Sequence, residues 1–180
     1  MVDAFHCVET DETLSKYPSK IRRRIRLHSQ EMEDFLKQEA LNEQECNMNT
    51  TYLLIEDEKI LAYVSLCNDA IRLELTEREA EGVRYESAPA LKIARLAVDT
   101  SQMGNGIGKL MIAFSAHCGL KIREHAGVFF LTLDCYEHRV SYYEGIGFAR
   151  NNNQPVVLPY DSPISMRMSI DAYLESFEEI

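Results

Sequence analysis

The hydrophobic and polar residues of the chain alternate in several segments in the manner of β-strands. Residues 51–56 ("TYLLIE") and 60–67 ("ILAYVSLC") are rich in strand-forming residues and are separated by a short polar turn, so they predict a hairpin. Between residues 164 and 170, isoleucine and methionine alternate with serine and arginine. This alternation predicts a last strand at or near the edge of a sheet.

In residues 21–27, Ile21, Arg23, Ile25 and Leu27 alternate with Arg22, Arg24 and Arg26. The alternation predicts a half-buried strand, although the same apolar residues also fit one face of a helix. From Ser29 the spacing changes, because Met32 and Phe35 recur at helical intervals after a serine that suits an N-cap. We therefore predict a helix from Ser29 to about Leu41.

The second half of the chain reads as strand, glycine turn, helix, strand, short helix and strand. Residues 91–99 and 128–134 are apolar-rich runs that predict strands, the second of them covered on both faces. A helical spacing of apolar residues begins at Ile107 and is predicted to end near Gly127, and a short helix is predicted over 137–145. This order of elements is typical of a mixed α/β or α+β sheet.

The chain has 180 residues, of which 46% are apolar and 27% charged, and no repeat or linker divides it. These values predict one globular domain over 1–180, with an irregular polar segment at 1–19 and a long charged loop at 74–90. The net charge of −10 argues against a surface that coats DNA or RNA. The exception is "KIRRRIR" (20–26), which as a short charge run is read as a solvated face.

The chain carries no pattern typical of export, membrane insertion or metal binding. It shows neither a secretory signal nor an apolar run near the roughly 20 residues that a membrane span needs, so a cytosolic protein without membrane contact is predicted. The histidines and cysteines show no zinc-type spacing, and we predict no metal site. The cysteines are odd in number and scattered, which predicts reduced thiols; they are Cys7, Cys46, Cys67, Cys118 and Cys135.

The segment "DTSQMGNGIGKLM" (99–111) carries three glycines directly before a predicted helix. A glycine turn that opens a helix binds anions, because the first helical amides have no intrahelical partners, and Lys109 adds a cation. The spacing excludes a dinucleotide fingerprint, whose third glycine would fall on Lys109. It also excludes a P-loop, which would need a glycine at Met103 and a hydroxyl residue at Leu110. Spacing alone leaves open a glycine-rich connection that binds no ligand.

Two segments together, "IARLAVDTSQMGNGIGKLM" (93–111) and "SYYEGIGF" (141–148), resemble the GNAT superfamily of N-acetyltransferases. The pyrophosphate loop of that family has the pattern [Q/R]-x-x-G-x-[G/A], which falls on residues 103–108. The resemblance implies that loop amides bind the pyrophosphate of acetyl-coenzyme A and that the preceding strand binds the pantetheine arm. The residues so implied are Leu96, Ala97, Val98, Met103, Gly104, Asn105, Gly106, Ile107, Gly108 and Lys109.

The resemblance also places a family tyrosine, which lies beside the thioester sulfur, at Tyr143. By spacing alone Tyr143 is a packing residue, since Val140 and Ile146 share its helical face. With the resemblance it becomes the candidate acid that protonates the departing thiolate, because a phenol keeps its proton at pH 7. The resemblance further implies that the backbone amide of Val98 polarises the thioester carbonyl.

Two positions depart from the family pattern. Met103 stands where glutamine or arginine is usual, so the loop is expected to bind mainly through backbone amides. Tyr136 stands where many members have an asparagine that contacts the pantetheine, and that role is not transferred. Cys135 lacks an identifiable activating partner, so no covalent acetyl-cysteine route is assigned. No general base is assigned among the candidates, which are Glu86, Asp99 and His138.

The resemblance implies a mixed, mostly antiparallel twisted sheet of six to seven strands flanked by about four helices. It implies a homodimeric enzyme that moves an acetyl group from acetyl-coenzyme A directly to a primary amine of a small molecule or protein. One alternative is the toxin branch, which acetylates aminoacyl-tRNA and is silenced by an antitoxin, since "RLAVD", "EMEDFLKQEA" and the hairpin resemble it. In that case only "KIRRRIR" supplies phosphate contacts. The other alternative is a non-catalytic coenzyme A-binding module.

Overall fold

A computed structural model describes residues 2–9, 14–154 and 162–178. Six strands lie within these residues: β1 Thr50–Glu56, β2 Lys59–Arg72, β3 Ser87–Val98, β4 Phe130–Cys135, β5 Ala149–Arg150 and β6 Ile164–Ser169. They form one sheet in the order β1-β2-β3-β4-β6-β5. β3 and β4 are parallel, whereas the pairs β1/β2, β4/β6 and β5/β6 are antiparallel. The predicted mixed, mostly antiparallel sheet is confirmed.

The described residues form five helices, one more than the four or so predicted. The first is continuous and consists of α1 Ser19–Asp34, a π-helical segment Phe35–Glu39 and α2 Ala40–Glu45. The others are α3 Leu75–Glu81, α4 Ile107–Ile122, α5 Glu137–Glu144 and α6 Ile170–Glu178, with single 3₁₀ turns at Val2–Ala4 and Thr100–Gln102. The residue pattern did not predict α3 or α6.

The prediction of a strand over 21–27 and of a helix that begins at Ser29 is wrong. The helix begins ten residues earlier, at Ser19, directly after Pro18. Burial follows the helical period, because Ile25 is 3% exposed whereas Leu27, which a strand would bury on the same face, is 56% exposed. Ser29 is an interior helical residue, and its hydroxyl donates to the Ile25 carbonyl at 3.0 Å.

The prediction of a long loop over 74–90 is also wrong. Glu74 and Glu77 form a capping box at the start of α3, in which the Glu74 amide donates to Glu77 Oε2 at 2.8 Å. Gly82 ends the helix with a φ of +66°, a left-handed conformation that favours glycine. β3 then begins at Ser87.

The remaining predicted elements are confirmed with shifted ends. The hairpin of β1 and β2 closes through a two-residue turn in which Asp57 and Glu58 have φ angles of +46° and +62°. The helix after the glycines ends at Ile122, before its predicted end near Gly127. β6 is second from the edge of the sheet, beside β5.

The chain forms two compact units, the first made of residues 1–66 with 95–112 and the second of 67–94 with 113–180. The prediction of one domain over 1–180 stays a prediction. Within the predicted irregular segment 1–19, Val2–Ala4 forms a 3₁₀ turn and residues 5–9 have no regular structure, while positions 1 and 10–13 lie outside the described residues. A buried cluster of the first unit contains Phe5, Cys7, Phe35, Leu36, Ala40, Ile60, Tyr63 and Ala97. A buried cluster of the second unit contains Ile71, Leu73, Ala88, Ala90 and Phe130.

Candidate functional site

The glycine segment forms an open turn between β3 and α4. After the 3₁₀ turn Thr100–Gln102 the backbone is extended at Met103, and Gly104 and Gly106 adopt φ angles of +84° and +80°. A Cβ added at either glycine would meet no atom within 4 Å. These two glycines are therefore required by their left-handed backbone and not by crowding, and the space beside them is open.

Four consecutive backbone amides at the start of α4 have no acceptor within the described part of the chain. The first intrahelical bond runs from the Leu110 amide to the Gly106 carbonyl at 3.1 Å. The amides of residues 106–109 donate to none of the described groups. Unpaired amides at a helix start carry the positive end of the helix dipole, so this turn is suited to bind an anion.

The side chains of the turn leave those amides accessible. Met103 is 38% exposed, and Asn105 folds back towards Gln102, to which its amide and its side chain donate at 3.4 and 3.3 Å. Lys109 is exposed and makes no ion pair with a described residue. The polar binding groups of the turn are thus the backbone amides and the Lys109 ammonium, as expected from the methionine at position 103.

The predicted pantetheine-binding residues lie at the end of β3 in the same unit as the turn. Ala97 is buried in the core of that unit, whereas Leu96 and Val98 are half-buried. The structure therefore brings together ten predicted cofactor residues, 96–98 and 103–109, in the first unit. Their contacts with a cofactor remain predictions.

Tyr143 lies on α5, which belongs to the second unit. Its ring packs edge-to-face against Phe148 at 5.7 Å and against Tyr142 at 5.1 Å between ring centroids. Its hydroxyl makes no hydrogen bond with any described residue. Burial raises the pKa of the Tyr143 phenol, while the positive charge of Arg139 opposes the shift. At neutral pH the phenol therefore holds a proton that it can donate.

Cys135 has the surroundings of an inert thiol. It is 7% exposed, and its Sγ lies 3.4 Å from Met166 Sδ. Burial raises the pKa of Cys135 to about 12, so the nucleophilic thiolate is scarce at neutral pH. Cys135 is therefore unsuited to a covalent acetyl-cysteine route.

The three candidate bases have other contacts. The exposed Glu86 pairs with Arg72. The ring of His138 stacks on that of Tyr136, with 6.3 Å between the ring centroids. Asp99 accepts hydrogen bonds on both carboxylate oxygens, from the Ser101 amide and hydroxyl at 2.9 and 2.7 Å and from the His6 amide at 3.0 Å. None of the three is assigned as a base.

Sequence reasoning missed the structural role of Asp99. The signal was present, since an aspartate two residues before a serine at the end of a strand is typical of an Asx-type cap. The partner of its second oxygen, His6, lies 93 residues away along the chain. No local pattern indicates that contact.

A basic groove, defined by its polar lining residues Ser19, Arg22, Arg23, Arg26 and Gln30, runs along α1. Its volume is about 580 Å³, and Val8 and Leu27 complete the lining. Arg22 donates to the Ser19 hydroxyl at 3.2 Å. The "KIRRRIR" segment therefore lies within α1 and contributes three arginines to one groove.

Two kinds of feature do not occur among the described residues. They contain no group of three or more histidine, cysteine, aspartate or glutamate side chains arranged to hold a metal ion. None of their helices has both the length and the apolarity needed to cross a bilayer.

The chain matches no protein-family model, but its fold is similar to that of solved bacterial toxins. A KacT variant with one tyrosine replaced by phenylalanine superimposes with a TM-score of 0.72 at 17% identity, over 98% of this chain and 92% of that one. AtaT in complex with acetyl-methionyl-tRNAfMet gives the same four values. AtaTR bound with acetyl-coenzyme A gives a TM-score of 0.67 at 18% identity, over 98% and 91% of the two chains. The chain thus has the GNAT fold.

Proposed function

We propose that the protein is an N-acetyltransferase that moves the acetyl group of acetyl-coenzyme A directly to a primary amine in a ternary complex. The observation that carries the proposal is the open glycine turn, in which the amides of residues 106–109 have no acceptor among the described residues. The fold supports it, since AtaTR, which has the same fold, was crystallised with acetyl-coenzyme A.

The proposal assigns the pyrophosphate to the backbone amides of residues 104 and 106–109, with Lys109 as an added cation, since the Asn105 amide donates to the Gln102 carbonyl. Leu96, Ala97 and Val98 bind the pantetheine arm, and the Val98 amide polarises the thioester carbonyl. Tyr143 is the acid. Its support is a phenol that keeps its proton and whose hydroxyl has no partner among the described residues.

In the proposed reaction the acetyl group passes from sulfur to nitrogen in one transfer, with no acetyl group bound to the enzyme. The neutral amine nitrogen attacks the thioester carbonyl carbon, and the carbon–sulfur bond breaks as the carbon–nitrogen bond forms. The departing thiolate takes the phenol proton of Tyr143, and the ammonium proton passes to water, from which Tyr143 is reprotonated. Holding both substrates in one complex supplies much of the rate.

Binding of acetyl-coenzyme A is expected to raise the thermal stability of the protein. A ligand that binds only the folded state at about 100 times its Kd adds about 2.7 kcal/mol. Gly106→Ala is expected to shrink this ligand-induced increase, because alanine resists the φ of +80° by about 1–2 kcal/mol. The measurement is the melting temperature with and without acetyl-coenzyme A.

The matched control is Gly127→Ala, since Gly127 is exposed and a Cβ there meets only the Pro89 ring at 3.7 Å. This variant should keep the full ligand-induced increase. No increase for the unmodified protein at millimolar acetyl-coenzyme A contradicts the cofactor assignment. Binding without thiol release in the presence of any amine acceptor favours the non-catalytic module instead.

The second candidate function is acetylation of aminoacyl-tRNA by a toxin of this fold, and the basic groove on α1 favours it. The structure of AtaT, a toxin of the same fold, has been solved in complex with acetyl-methionyl-tRNAfMet. Arg22, Arg23 and Arg26 concentrate positive charge in a chain of net charge −10. Guanidinium groups bind phosphates in bidentate fashion, so the groove suits an RNA backbone. An antitoxin partner, as AtaR is for AtaT, belongs to this candidate.

If the groove binds tRNA, affinity should fall steeply with salt, and Arg22→Gln with Arg23→Gln should reduce the slope of log K against log[salt] by roughly 1 per arginine. The measurement is a filter-binding or anisotropy titration of aminoacyl-tRNA at several salt concentrations. Arg84→Gln, a change outside the groove, is the control and should leave the slope unchanged. Absence of binding at low salt contradicts the tRNA function.

A cytosolic homodimer completes the proposal. The five cysteines are free thiols, which is typical of a reducing compartment. β1 is an edge strand with Tyr52, Leu53 and Ile55 exposed, and such an edge favours pairing with a second chain. A monomeric mass in solution would remove the dimer from the proposal.

A further inference from the structure

The segment that precedes α1 is hydrogen-bonded to the residues where β3 passes into the glycine turn. The His6 amide donates to Asp99 Oδ2 at 3.0 Å, and the His6 carbonyl accepts from the Thr100 amide at 2.7 Å. The Asp99 amide donates to the Leu61 carbonyl of β2 at 2.8 Å. The first two residues after β3 are therefore held by two different segments of the first unit.

Asp99 connects this contact to the turn itself. Its Oδ1 accepts from the Ser101 amide and hydroxyl, which caps the 3₁₀ turn Thr100–Gln102, while its Oδ2 accepts from His6. Burial alone would raise the pKa of Asp99, but the hydrogen bonds from Ser101 and His6 outweigh it and lower the pKa. The carboxylate is therefore ionised at neutral pH and accepts on both oxygens.

Glu33 fixes the other side of the same segment to α1. This carboxylate is 4% exposed, and its Oε2 accepts from the Cys7 amide at 3.0 Å. Its Oε1 accepts from Lys37 Nζ at 3.0 Å and contacts His6 Nδ1 at 3.2 Å. The Cys7 thiol adds a hydrogen bond to the Ser29 carbonyl at 3.1 Å. Residues 5–7 thus lie between two carboxylates, one on α1 and one at the turn.

We propose that residues 5–7, Glu33 and Asp99 form a brace that sets the conformation of the glycine turn for acetyl-coenzyme A binding. Asp99 and Glu33 are then positioning residues, since neither is needed to contact the cofactor. The proposal rests on the proposed acetyltransferase function. Gly104 and Gly106 make the turn conformationally permissive, so the turn depends on its fixed ends, the brace on one side and α4 on the other.

Asp99→Asn separates the two contacts of this carboxylate. The single oxygen of asparagine can still cap Ser101, as asparagine caps well, whereas its NH₂ group cannot accept from the His6 amide. We expect Asp99→Asn to raise the Kd and KM for acetyl-coenzyme A by about tenfold, with kcat within about twofold. Asp99→Ala removes both contacts and should raise the Kd and the KM further. Glu33→Gln should act in the same direction.

Asp171→Asn is the control, because Asp171 is an exposed carboxylate paired with Arg123 in the second unit. It should change neither constant. Hydrogen exchange of the amides of residues 100–106 provides a second measurement that needs no ligand, and it should be faster in Asp99→Asn than in the unmodified protein. The brace is contradicted if Asp99→Asn leaves the Kd, the KM and the exchange rates unchanged. It is also contradicted if kcat falls by the same factor as kcat/KM, because the defect then lies in turnover and not in cofactor binding. If exchange accelerates but the unmodified protein binds no acetyl-coenzyme A, the effect of the brace on the turn conformation is supported, whereas its role in cofactor binding and the proposed function are contradicted.

Discussion

Replacement of Tyr143 by phenylalanine is expected to lower turnover by about 10²- to 10⁴-fold, the usual contribution of a positioned acid or base. The substitution removes only the hydroxyl, so the edge-to-face contacts of the ring with Phe148 and Tyr142 are retained. The Kd for acetyl-coenzyme A should stay nearly unchanged, because the proposed cofactor-binding residues 96–98 and 103–109 are not altered. The measurement is release of the coenzyme A thiol with an amine acceptor, together with cofactor titration.

The matched control is Tyr142→Phe, a change of the neighbouring and more exposed tyrosine on the same helix. It should leave turnover within about twofold of the unmodified protein. The pH profile gives a second check. Burial raises the pKa of Tyr143 above that of an ordinary phenol, which is about 10, so the acid keeps its proton across the neutral range. Full turnover in Tyr143→Phe would remove Tyr143 from the mechanism.

Replacement of Arg167 by methionine is expected to lower the free energy of unfolding by about 3–5 kcal/mol. Arg167 on β6 forms an ion pair with Glu77 on α3, with Nη1 and Oε1 2.7 Å apart and side chains that are 7% and 3% exposed. Arg167 also pairs with Glu81 at 3.3 Å and donates to Asn151 Oδ1 at 3.1 Å. Methionine replaces the apolar stem of arginine but leaves the Glu77 carboxylate buried without its counter-ion, which is the origin of the cost.

The measurement is urea denaturation of the single and double variants. Adding Glu77→Gln to Arg167→Met removes the uncompensated charge, so the double variant should lose less than the sum of the two single changes. Arg150→Gln is the control, since Arg150 is exposed and pairs with Glu137, and it should cost less than about 1 kcal/mol. Additive losses would mean that the pair does not act as one buried unit.

These two residues differ in how far the sequence identified them. Tyr143 was identified because "SYYEGIGF" is a local pattern that resembles a known family segment. Arg167 was not, because it stands among alternating serines and methionines on β6, where arginine reads as a solvent-facing residue. Its partner Glu77 lies 90 residues earlier along the chain, inside a charged segment without clear periodicity. The signals that predict α3 there are those of the helix ends, namely the capping box and Gly82.

The hairpin, β3, α4, β4 and the glycine turn were determined by the sequence itself, because apolar period and glycine spacing act over a few neighbouring residues. The segment 21–27 was not, since seven residues with three apolar positions fit both a period of 2 and a period of 3.6. The tertiary structure, in which Ile25 is buried and Leu27 is exposed, shows that the segment is helical. The same holds for the brace: Asp99 contacts His6, and Glu33 contacts Cys7, through hydrogen bonds between residues that the folded chain alone brings together.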